Sequence, residues 1–289
     1  MFEEIFSPVQ KIAFTPFSNL YVKRDDLIDP YISGNKWRKL KYILAKAKAK
    51  NKTHLVTFGG AYSNHLVATA AAASRSGLKS TAFVRGEEVK NEMLLLCHLF
   101  GMKLIFTDRE SYRKKYQLFD IHFKNDDQAY FIDEGGASVE ATFGCAEIIR
   151  ELTETYEHIF CAAGTGTTAA GLLSGIQKQG LNTKLHIIPV LKGASFIQTE
   201  IAKYTTLSGH LKLHLDYHFG GYAKTTPELI SFIKNFTAKT GVLLDPVYTA
   251  KMFYAIHDLT KQGIIGKEEK VLAIHTGGLM GLFGMMDKF

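Results

Sequence analysis

The chain alternates between short apolar runs and segments with helical periodicity over most of its length. Helices are predicted over 63–77, 145–156 and 168–180. The apolar runs are bounded by glycine or polar residues and predict buried strands of parallel sheets. These runs cover residues 54–59, 80–86, 103–108, 129–133, 158–164, 185–191 and 271–278. Such alternation predicts an α/β fold, with parallel twisted sheets flanked by helices.

Glycine-bearing turns follow three of the predicted strands and lead into polar helix starts. They occupy residues 59–64, 134–138 and 164–168. In open parallel sheets the ligand crevice lies outside the carboxyl ends of the strands. We therefore expect a ligand site where these turns meet.

The turn at residues 164–168 has the composition of an anion site. The N–H groups from Gly164 to Thr168, through Gly166, and the hydroxyls of Thr165, Thr167 and Thr168 can converge on a phosphate at a helix N-terminus. The alternative is a strand-to-helix turn whose threonines only cap the helix. A Walker loop is excluded because no Gly-Lys-Ser/Thr follows, and the spacing fits a dinucleotide fingerprint poorly.

A second polar helix start, "GGAYSNHL", contains Ser63, Asn64 and His65. With the free N–H groups of a helix start, these side chains suit a carboxylate or a phenolate-like oxygen. The alternative is a helix cap with a solvent-facing histidine. The other histidines are isolated, so no metal site is predicted.

Composition narrows the functional classes. The net charge of +7 arises from 35 Lys and Arg against 28 Asp and Glu, and the cations occur in short scattered clusters. No basic stripe is interleaved with aromatic residues, so nucleic-acid binding is not expected. At 289 residues the chain is long for one domain of roughly 100–200 residues, so two domains are expected.

The cysteines and the chain start indicate a cytoplasmic protein. Cys97, Cys145 and Cys161 are odd in number and lack C-x-x-C spacing, so neither a disulfide framework nor a zinc site is predicted. The first residues lack the pattern of a signal peptide, and no apolar run reaches about 18 residues. We expect neither export nor membrane insertion.

Lys36 in "SGNKWRKLKYIL" is a candidate reactive amine. It follows a Gly-Asn pair, which lets the backbone approach a ligand closely, and it opens a helix. A desolvated lysine has a lowered pKa and can act as a nucleophile. The alternative is an ordinary surface charge.

Several motifs together resemble one enzyme family. They are "VKRDDL" (22–27), "SGNKWRKLKYI" (33–43), "GGAYSNH" (59–65), "DEGGAS" (133–138), "AAGTGTTAAG" (162–171), "GGYAK" (220–224), "DPVYTAK" (245–251) and "IHTGG" (274–278). In this order they resemble the pyridoxal-phosphate enzymes of the aminocyclopropane carboxylate deaminase and D-cysteine desulfhydrase family. That family has the tryptophan-synthase-β-like fold, also called fold type II. The likeness covers nearly the whole chain.

The resemblance implies roles at the cofactor. Lys36 would carry pyridoxal phosphate covalently, Asn64 would bond the phenolic oxygen of its ring, and the turn at 164–168 would hold its phosphate. Thr276 would face the pyridine nitrogen. A hydroxyl there, in place of a carboxylate, leaves that nitrogen less firmly protonated and makes the cofactor a milder electron sink.

It also implies roles at a small amino-acid substrate. Ser63 and His65, with the N–H groups around them and beside Asn64, would hold the substrate carboxylate. Tyr222 and Tyr248 match the two active-site tyrosines of the family, which flank the reacting side chain and can exchange a proton there.

The chain departs from the family pattern in ways that concern the substrate. Tyr62 stands where a glutamine usually precedes the Ser-Asn pair, and the turn at 164–168 is nearer to that of the wider fold group. In the deaminases a glutamate follows the "DPVY" tyrosine and a leucine replaces the "HTGG" threonine, whereas this chain has Thr249 and Thr276. We therefore expect α,β-elimination from D-cysteine, giving pyruvate, ammonia and sulfide, with aminocyclopropane carboxylate deamination as the alternative.

The resemblance further implies a domain division and an assembly. A larger domain would comprise 1–46 and 146–289, and a smaller α/β domain, 47–145, would be inserted in it. A homodimer is expected. Two alternatives from other classes are a non-catalytic protein that binds a phosphorylated metabolite and a basic nucleic-acid-associated protein. Lys36 with Tyr222 and Tyr248 argues against the first, and the missing basic stripe against the second.

Overall fold

The computed structural model describes residues 5–289. Within that range the strands form two sheets, one of six strands (the large sheet) and one of four (the small sheet). In spatial order the large sheet contains β1 (Val9–Ile12), β2 (Leu20–Lys23), β10 (Val271–Ile274), β7 (His158–Ala163), β8 (Lys184–Pro189) and β9 (Leu211–Leu213). Its strands are parallel except β1, which is antiparallel to β2.

The small sheet is wholly parallel. In spatial order it contains β5 (Lys103–Thr107), β4 (Lys79–Arg85), β3 (His54–Gly60) and β6 (Ala129–Phe131). All the strands predicted from apolar runs are thus confirmed. The short strands β1, β2 and β9 were not predicted, because each contains a lysine and so does not form an uninterrupted apolar run.

Helices cover the sheets. They are α1 (Asn35–Ala49), α2 (Asn64–Arg75), α3 (Glu92–Leu99), α4 (Arg109–Tyr112), α5 (Lys115–Phe123), α6 (Val139–Arg150), α7 (Thr167–Lys178), α8 (Phe196–Ala202), α9 (Pro227–Thr240) and α10 (Thr249–Lys261). Short 3₁₀ helices occur at Asp25–Leu27, Glu134–Gly136 and Leu279–Lys288.

One predicted helix was misplaced. The segment 145–156 was expected to be helical, but α6 begins at Val139 and ends at Arg150. It begins earlier because the Ser138 hydroxyl accepts a hydrogen bond from the N–H of Ala141, which caps the helix. The predictions over 63–77 and 168–180 correspond to α2 and α7.

Each sheet buries its faces against helices. One face of the large sheet packs against α9 and α10, through residues such as Phe236 and Phe253, and the other packs against α6 and α7, through Ile149 and Leu173. These buried helical faces account for most of the apolar core. Between residues 5 and 289 no helix combines the length and apolarity needed to cross a membrane.

Helix α1 lies between the two sheets. Its apolar face shares a core cluster with β3 and α2, and its other side packs on α6. At the crossing with α6, a Cβ on Gly144 would lie only 1.9 Å from the carbonyl oxygen of Arg38, so only glycine permits this approach. Because α6 also packs on α7, the close crossing brings the start of α1 near the start of α7.

A buried ion cluster fixes α1 in place. Arg38 is fully buried, and its guanidinium donates to Asp25 at 2.8 Å and to Glu151 at 2.8 Å. The Lys23 amine lies 2.8 Å from the same Glu151 carboxylate. Removing one partner of a buried pair typically costs about 3–5 kcal/mol. Arg38 is therefore structural, and its ion pairs hold the helix that presents Lys36.

Candidate active site

Lys36 lies in the first turn of α1, at the carboxyl edge of the large sheet. Its partly buried amine donates to the Asn35 side-chain oxygen at 3.0 Å, and the Asn35 amide donates to the Thr168 hydroxyl, also at 3.0 Å. Burial lowers the pKa of Lys36 to about 7, and the positive charge of Lys39 lowers it further. A large fraction of this amine is therefore unprotonated near neutral pH, which is what a nucleophile needs.

The backbone just before Lys36 touches the loop that follows β10. Gly34 has a φ of +58°, and a Cβ there would lie 1.9 Å from the carbonyl oxygen of Thr276. The Asn35 N–H points at the same oxygen, 3.3 Å away. A Cβ on Gly278 would lie 2.7 Å from the Asn64 amide nitrogen. Lys36, Thr276 and Asn64, from three separate motifs, are thus brought to one place.

The turn at 164–168 joins β7 to α7 and faces the same place. Gly166 adopts the left-handed conformation, with φ 77°, and precedes the helix as its N-cap. The first N–H groups of α7 have no acceptor within the helix. The Thr165 and Thr167 hydroxyls lie 3.3 Å apart, and Thr168 is linked through Asn35 to Lys36. A phosphate held here would therefore lie beside the reactive amine.

Tyr222 and Tyr248 form a T-shaped pair whose ring centroids are 6.1 Å apart. The Tyr248 hydroxyl lies 3.2 Å from where a Cβ on Gly164 would be, so Tyr248 lies against the phosphate turn. Burial raises the pKa of Tyr248 well above its ordinary value, with a further contribution from Tyr222. Its hydroxyl is protonated at neutral pH and can serve as a hydrogen-bond donor.

The Ser-Asn-His motif opens α2 after β3. Within the described part of the chain, Ser63 makes no capping hydrogen bond, although it precedes the helix. His65, in contrast, is buried, and its Nε2 lies 2.8 Å from the Thr57 hydroxyl. That hydroxyl donates to the carbonyl of Ile132, so His65 Nε2 carries the proton. The interpretation of His65 as a solvent-facing residue is therefore wrong.

The environment of His65 keeps it neutral. Burial, together with the positive charges of Lys36 and Lys39, lowers the pKa of His65 well below its usual range. Among residues 5–289, nothing accepts or donates a hydrogen bond at its Nδ1. An anion at this helix start would therefore contact main-chain N–H groups and the Ser63 hydroxyl. His65, which is buried and uncharged, would add no charge to this contact.

Sequence reasoning missed several residues that shape the site. Lys39 is buried, and its amine donates to the Gly135 carbonyl at 2.9 Å; its position three residues after Lys36, on the same helical face, was the available signal. Asp245 is also buried and accepts from the N–H groups of Tyr248 and Thr249, each at 2.8 Å, which fixes the start of α10. Asn35, the link between Lys36 and the phosphate turn, lies inside the quoted lysine motif.

Comparisons with known proteins agree with this geometry. Residues 7–277 match the family described as pyridoxal-phosphate dependent enzyme. The chain belongs to this family. A protein named putative 1-aminocyclopropane-1-carboxylate deaminase, from Thermotoga maritima, is 35% identical over 285 residues, covering 92% of this chain and 90% of that protein.

Two further relatives extend the comparison. The mitochondrial protein named bifunctional D-cysteine desulfhydrase/1-aminocyclopropane-1-carboxylate deaminase, from Arabidopsis thaliana, is 31% identical, covering 94% of this chain and 75% of that protein. A crystal structure described as an ACC deaminase homologue superimposes with a TM-score of 0.87 at 31% identity, covering 98% of this chain and 92% of that one. The family resemblance and the fold type II architecture are thereby confirmed.

Pyridoxal phosphate is accordingly the cofactor, and the described residues fit it. The glycine at position 34 leaves no room for a side chain beside Lys36, and the start of α7 offers N–H groups and threonine hydroxyls next to the amine. The alternative of a non-catalytic phosphate binder is therefore wrong, because the chain belongs to an enzyme family. Cys97, Cys145 and Cys161 are buried free thiols.

Proposed function

We propose that this pyridoxal-phosphate enzyme is a deaminating lyase that catalyses α,β-elimination from D-cysteine, giving pyruvate, ammonia and sulfide. The observation that carries the proposal is the burial and the hydrogen bonding of Thr249. This residue is fully buried, and its hydroxyl donates to the Asp245 carboxylate at 2.9 Å. The position at which the resembling deaminases have a glutamate thus offers the substrate neither a carboxylate nor a free hydroxyl.

The residues divide the work of binding. In this proposal Lys36 carries the cofactor, the N–H groups from Gly164 to Thr168 hold its phosphate, and Asn64 bonds its ring oxygen. Thr276 faces the ring nitrogen. Ser63, with the N–H groups of the α2 start, holds the substrate carboxylate.

The same side chains handle the protons. Bound pyridoxal phosphate supplies an electron sink for the α-carbon of the amino acid. The Lys36 amine, whose pKa burial lowers in the cofactor-free chain, can take the α-proton in its uncharged form. The Tyr248 hydroxyl, which remains protonated at neutral pH, can donate a hydrogen bond to the departing sulfide, and Tyr222 lies beside it. The aminoacrylate that leaves hydrolyses in water to pyruvate and ammonia.

Aminocyclopropane carboxylate deamination is the alternative function. Opening the ring needs an acid or nucleophile at a carbon that carries no leaving group, a more demanding task than expelling a thiolate. Asp245 is the carboxylate beside Tyr248, and its oxygens already accept from three N–H groups and the Thr249 hydroxyl. That engagement favours D-cysteine, although relatives carry both names.

The test is a substrate comparison with the cofactor-loaded enzyme. D-cysteine, L-cysteine, β-chloro-D-alanine and aminocyclopropane carboxylate are supplied separately, and sulfide and keto acid are measured. Because free pyridoxal phosphate reacts slowly with cysteine, Lys36→Ala prepared in parallel gives the background rate. We expect keto acid from D-cysteine and β-chloro-D-alanine above that background. A rate from the cyclopropane that equals or exceeds the D-cysteine rate would transfer the assignment to the deaminase.

We also propose the domain division and assembly implied by the family. The small-sheet strands lie within 54–131 and those of the large sheet within 9–23 and 158–274, which supports an inserted domain at 47–145. Helix α1 runs three residues past the proposed boundary at 46, to Ala49. In a cytoplasmic homodimer, a second copy would cover exposed apolar residues such as Phe143 and Val139. Light scattering of the purified protein tests the dimer.

A further inference from the structure

The loop that presents Tyr222 has an unusual backbone. Phe219 and Ala223 have φ values of +50° and +54°, and Gly220 and Gly221 have φ values of +92° and +119°. Left-handed conformations cost an L-residue about 1–2 kcal/mol each, so a loop with two such non-glycine residues persists only if its surroundings hold it. Tyr222 lies between the two strained segments, so their backbone conformation sets the position of its side chain.

Besides hydrogen bonds within the loop, the side chain of Lys251 holds it from a neighbouring helix. This lysine lies in α10 and is fully buried. Its amine donates to the carbonyl oxygen of His218 at 2.8 Å and to that of Gly221 at 2.7 Å. Both carbonyls belong to the strained loop, and the second directly precedes Tyr222.

Burying the Lys251 amine destabilises the fold, because its charged form loses contact with water. Burial lowers the pKa of Lys251 to about 8, a shift that the nearby Asp245 carboxylate opposes. An apolar side chain of similar volume would avoid this penalty. The lysine is therefore retained for what its N–H groups bind, and they bind the backbone of the tyrosine loop.

We propose that Lys251 is a positioning residue that acts through Tyr222. Seven residues of one motif, 245–251, then orient both active-site tyrosines: Asp245 accepts from the N–H of Tyr248, and Lys251 holds the carbonyl next to Tyr222. The T-shaped contact between the two rings is thus fixed from a single helix start. This inference rests on the proposed function, in which Tyr222 flanks the reacting side chain.

The principal variant is Lys251→Met, which keeps the apolar stem and removes the donors. Hydrogen bonds to charged groups contribute enough that we expect kcat with D-cysteine to fall about 10- to 100-fold, with KM changed less than about threefold. The cofactor content and visible spectrum should match the wild type, because Lys251 touches neither Lys36 nor the phosphate turn in its hydrogen bonds. Thr260→Val is the matched control, since Thr260 is buried on the same helix and, within residues 5–289, its hydroxyl has no hydrogen-bond partner.

A double-mutant cycle separates positioning from general damage. If Lys251 acts through Tyr222, Lys251→Met should reduce kcat much less in a Tyr222→Phe enzyme than in the wild type. Equal reductions in the two backgrounds would overturn the inference, as would a wild-type kcat in Lys251→Met. Should Lys251→Met fail to fold, Lys251→Leu, which also lacks N–H donors, takes its place in the cycle.

A readout that does not depend on activity keeps the two proposals apart. Amide hydrogen exchange over residues 218–224, measured without cofactor, should speed up in Lys251→Met and stay unchanged in Thr260→Val. If Tyr222→Phe alone keeps the wild-type kcat, the proposed role of Tyr222 fails. The positioning by Lys251 is then decided by exchange, and unchanged protection of 218–224 in Lys251→Met refutes it.

Discussion

Replacing the reactive amine should make the cofactor-free protein more stable. The pKa of Lys36 is about 7 in the folded chain and 10.5 in an unfolded one, so below pH 10.5 the unfolded chain binds more protons. Protonated Lys36 therefore opposes folding fully below pH 7, and the opposition fades as the pH rises from 7 to 10.5. Linkage gives a penalty of about 4 kcal/mol at pH 7 and about 2 kcal/mol at pH 9.

Lys36→Met removes that penalty and also one hydrogen bond. The bond to Asn35, at 3.0 Å, contributes about 1 kcal/mol. We therefore expect Lys36→Met to raise the free energy of unfolding by about 3 kcal/mol at pH 7 and by about 1 kcal/mol at pH 9. The decrease with pH is the distinctive part, because a simple packing gain would be the same at every pH.

Urea denaturation of the cofactor-free proteins at pH 6, 7, 8 and 9 measures this difference. Lys48→Met is the control, since Lys48 is an exposed lysine of the same helix and its replacement should stay within about 0.5 kcal/mol. A Lys36→Met protein that is less stable than the wild type at every pH, or more stable by a constant amount, would refute the reasoning. Lys36 would then be an ordinary charge.

Three further changes test the cofactor side of the site. Gly34→Ala places a methyl group 1.9 Å from a carbonyl oxygen of the loop after β10, so this variant should not retain the cofactor. Gly193→Ala, at a left-handed glycine with open space around it, is the control and should retain the cofactor. Absorbance of the purified proteins measures both. Gly166→Val should likewise abolish retention, whereas Thr168→Ala should only weaken it, because each hydroxyl is one donor among several; equal retention in wild type and Gly166→Val would reduce the turn to a helix cap. Asn35→Ala breaks both hydrogen bonds that link the amine to the phosphate turn and should weaken pyridoxal-phosphate affinity about tenfold by fluorescence titration, while unchanged affinity would show that the link is incidental.

The sequence predicted the structure best at positions where a single physical requirement explains the residue type. The apolar runs predicted the strands because a parallel strand buried on both faces needs continuous apolar residues. The Gly-Asn pair before Lys36 predicted a close approach of the backbone to a ligand, whereas the structure shows Gly34 close to the carbonyl of Thr276, 242 positions further along the chain. No local pattern could supply that partner, since it comes from another strand end.

The orientation of side chains was beyond the sequence for a related reason. His65 looked like a ligand because it follows Ser63 and Asn64 at a polar helix start. Its side chain instead turns back towards β3, where the Thr57 hydroxyl accepts from it. Whether a residue in the first turn of a helix faces the crevice or the sheet depends on how the helix is rotated on that sheet. Packing of the whole apolar face sets this rotation.

The buried lysines and the helix starts around the site all contribute positive charge to it. Lys39 lies one helical turn from Lys36, and the starts of α2 and α7 face the same space with unpaired N–H groups. This concentration of positive charge opposes protonation of Lys36, and it also favours a ligand that brings a phosphate and a carboxylate. In the proposed site, the arrangement that destabilises the empty protein is therefore also the one that would bind an anionic cofactor and an amino acid.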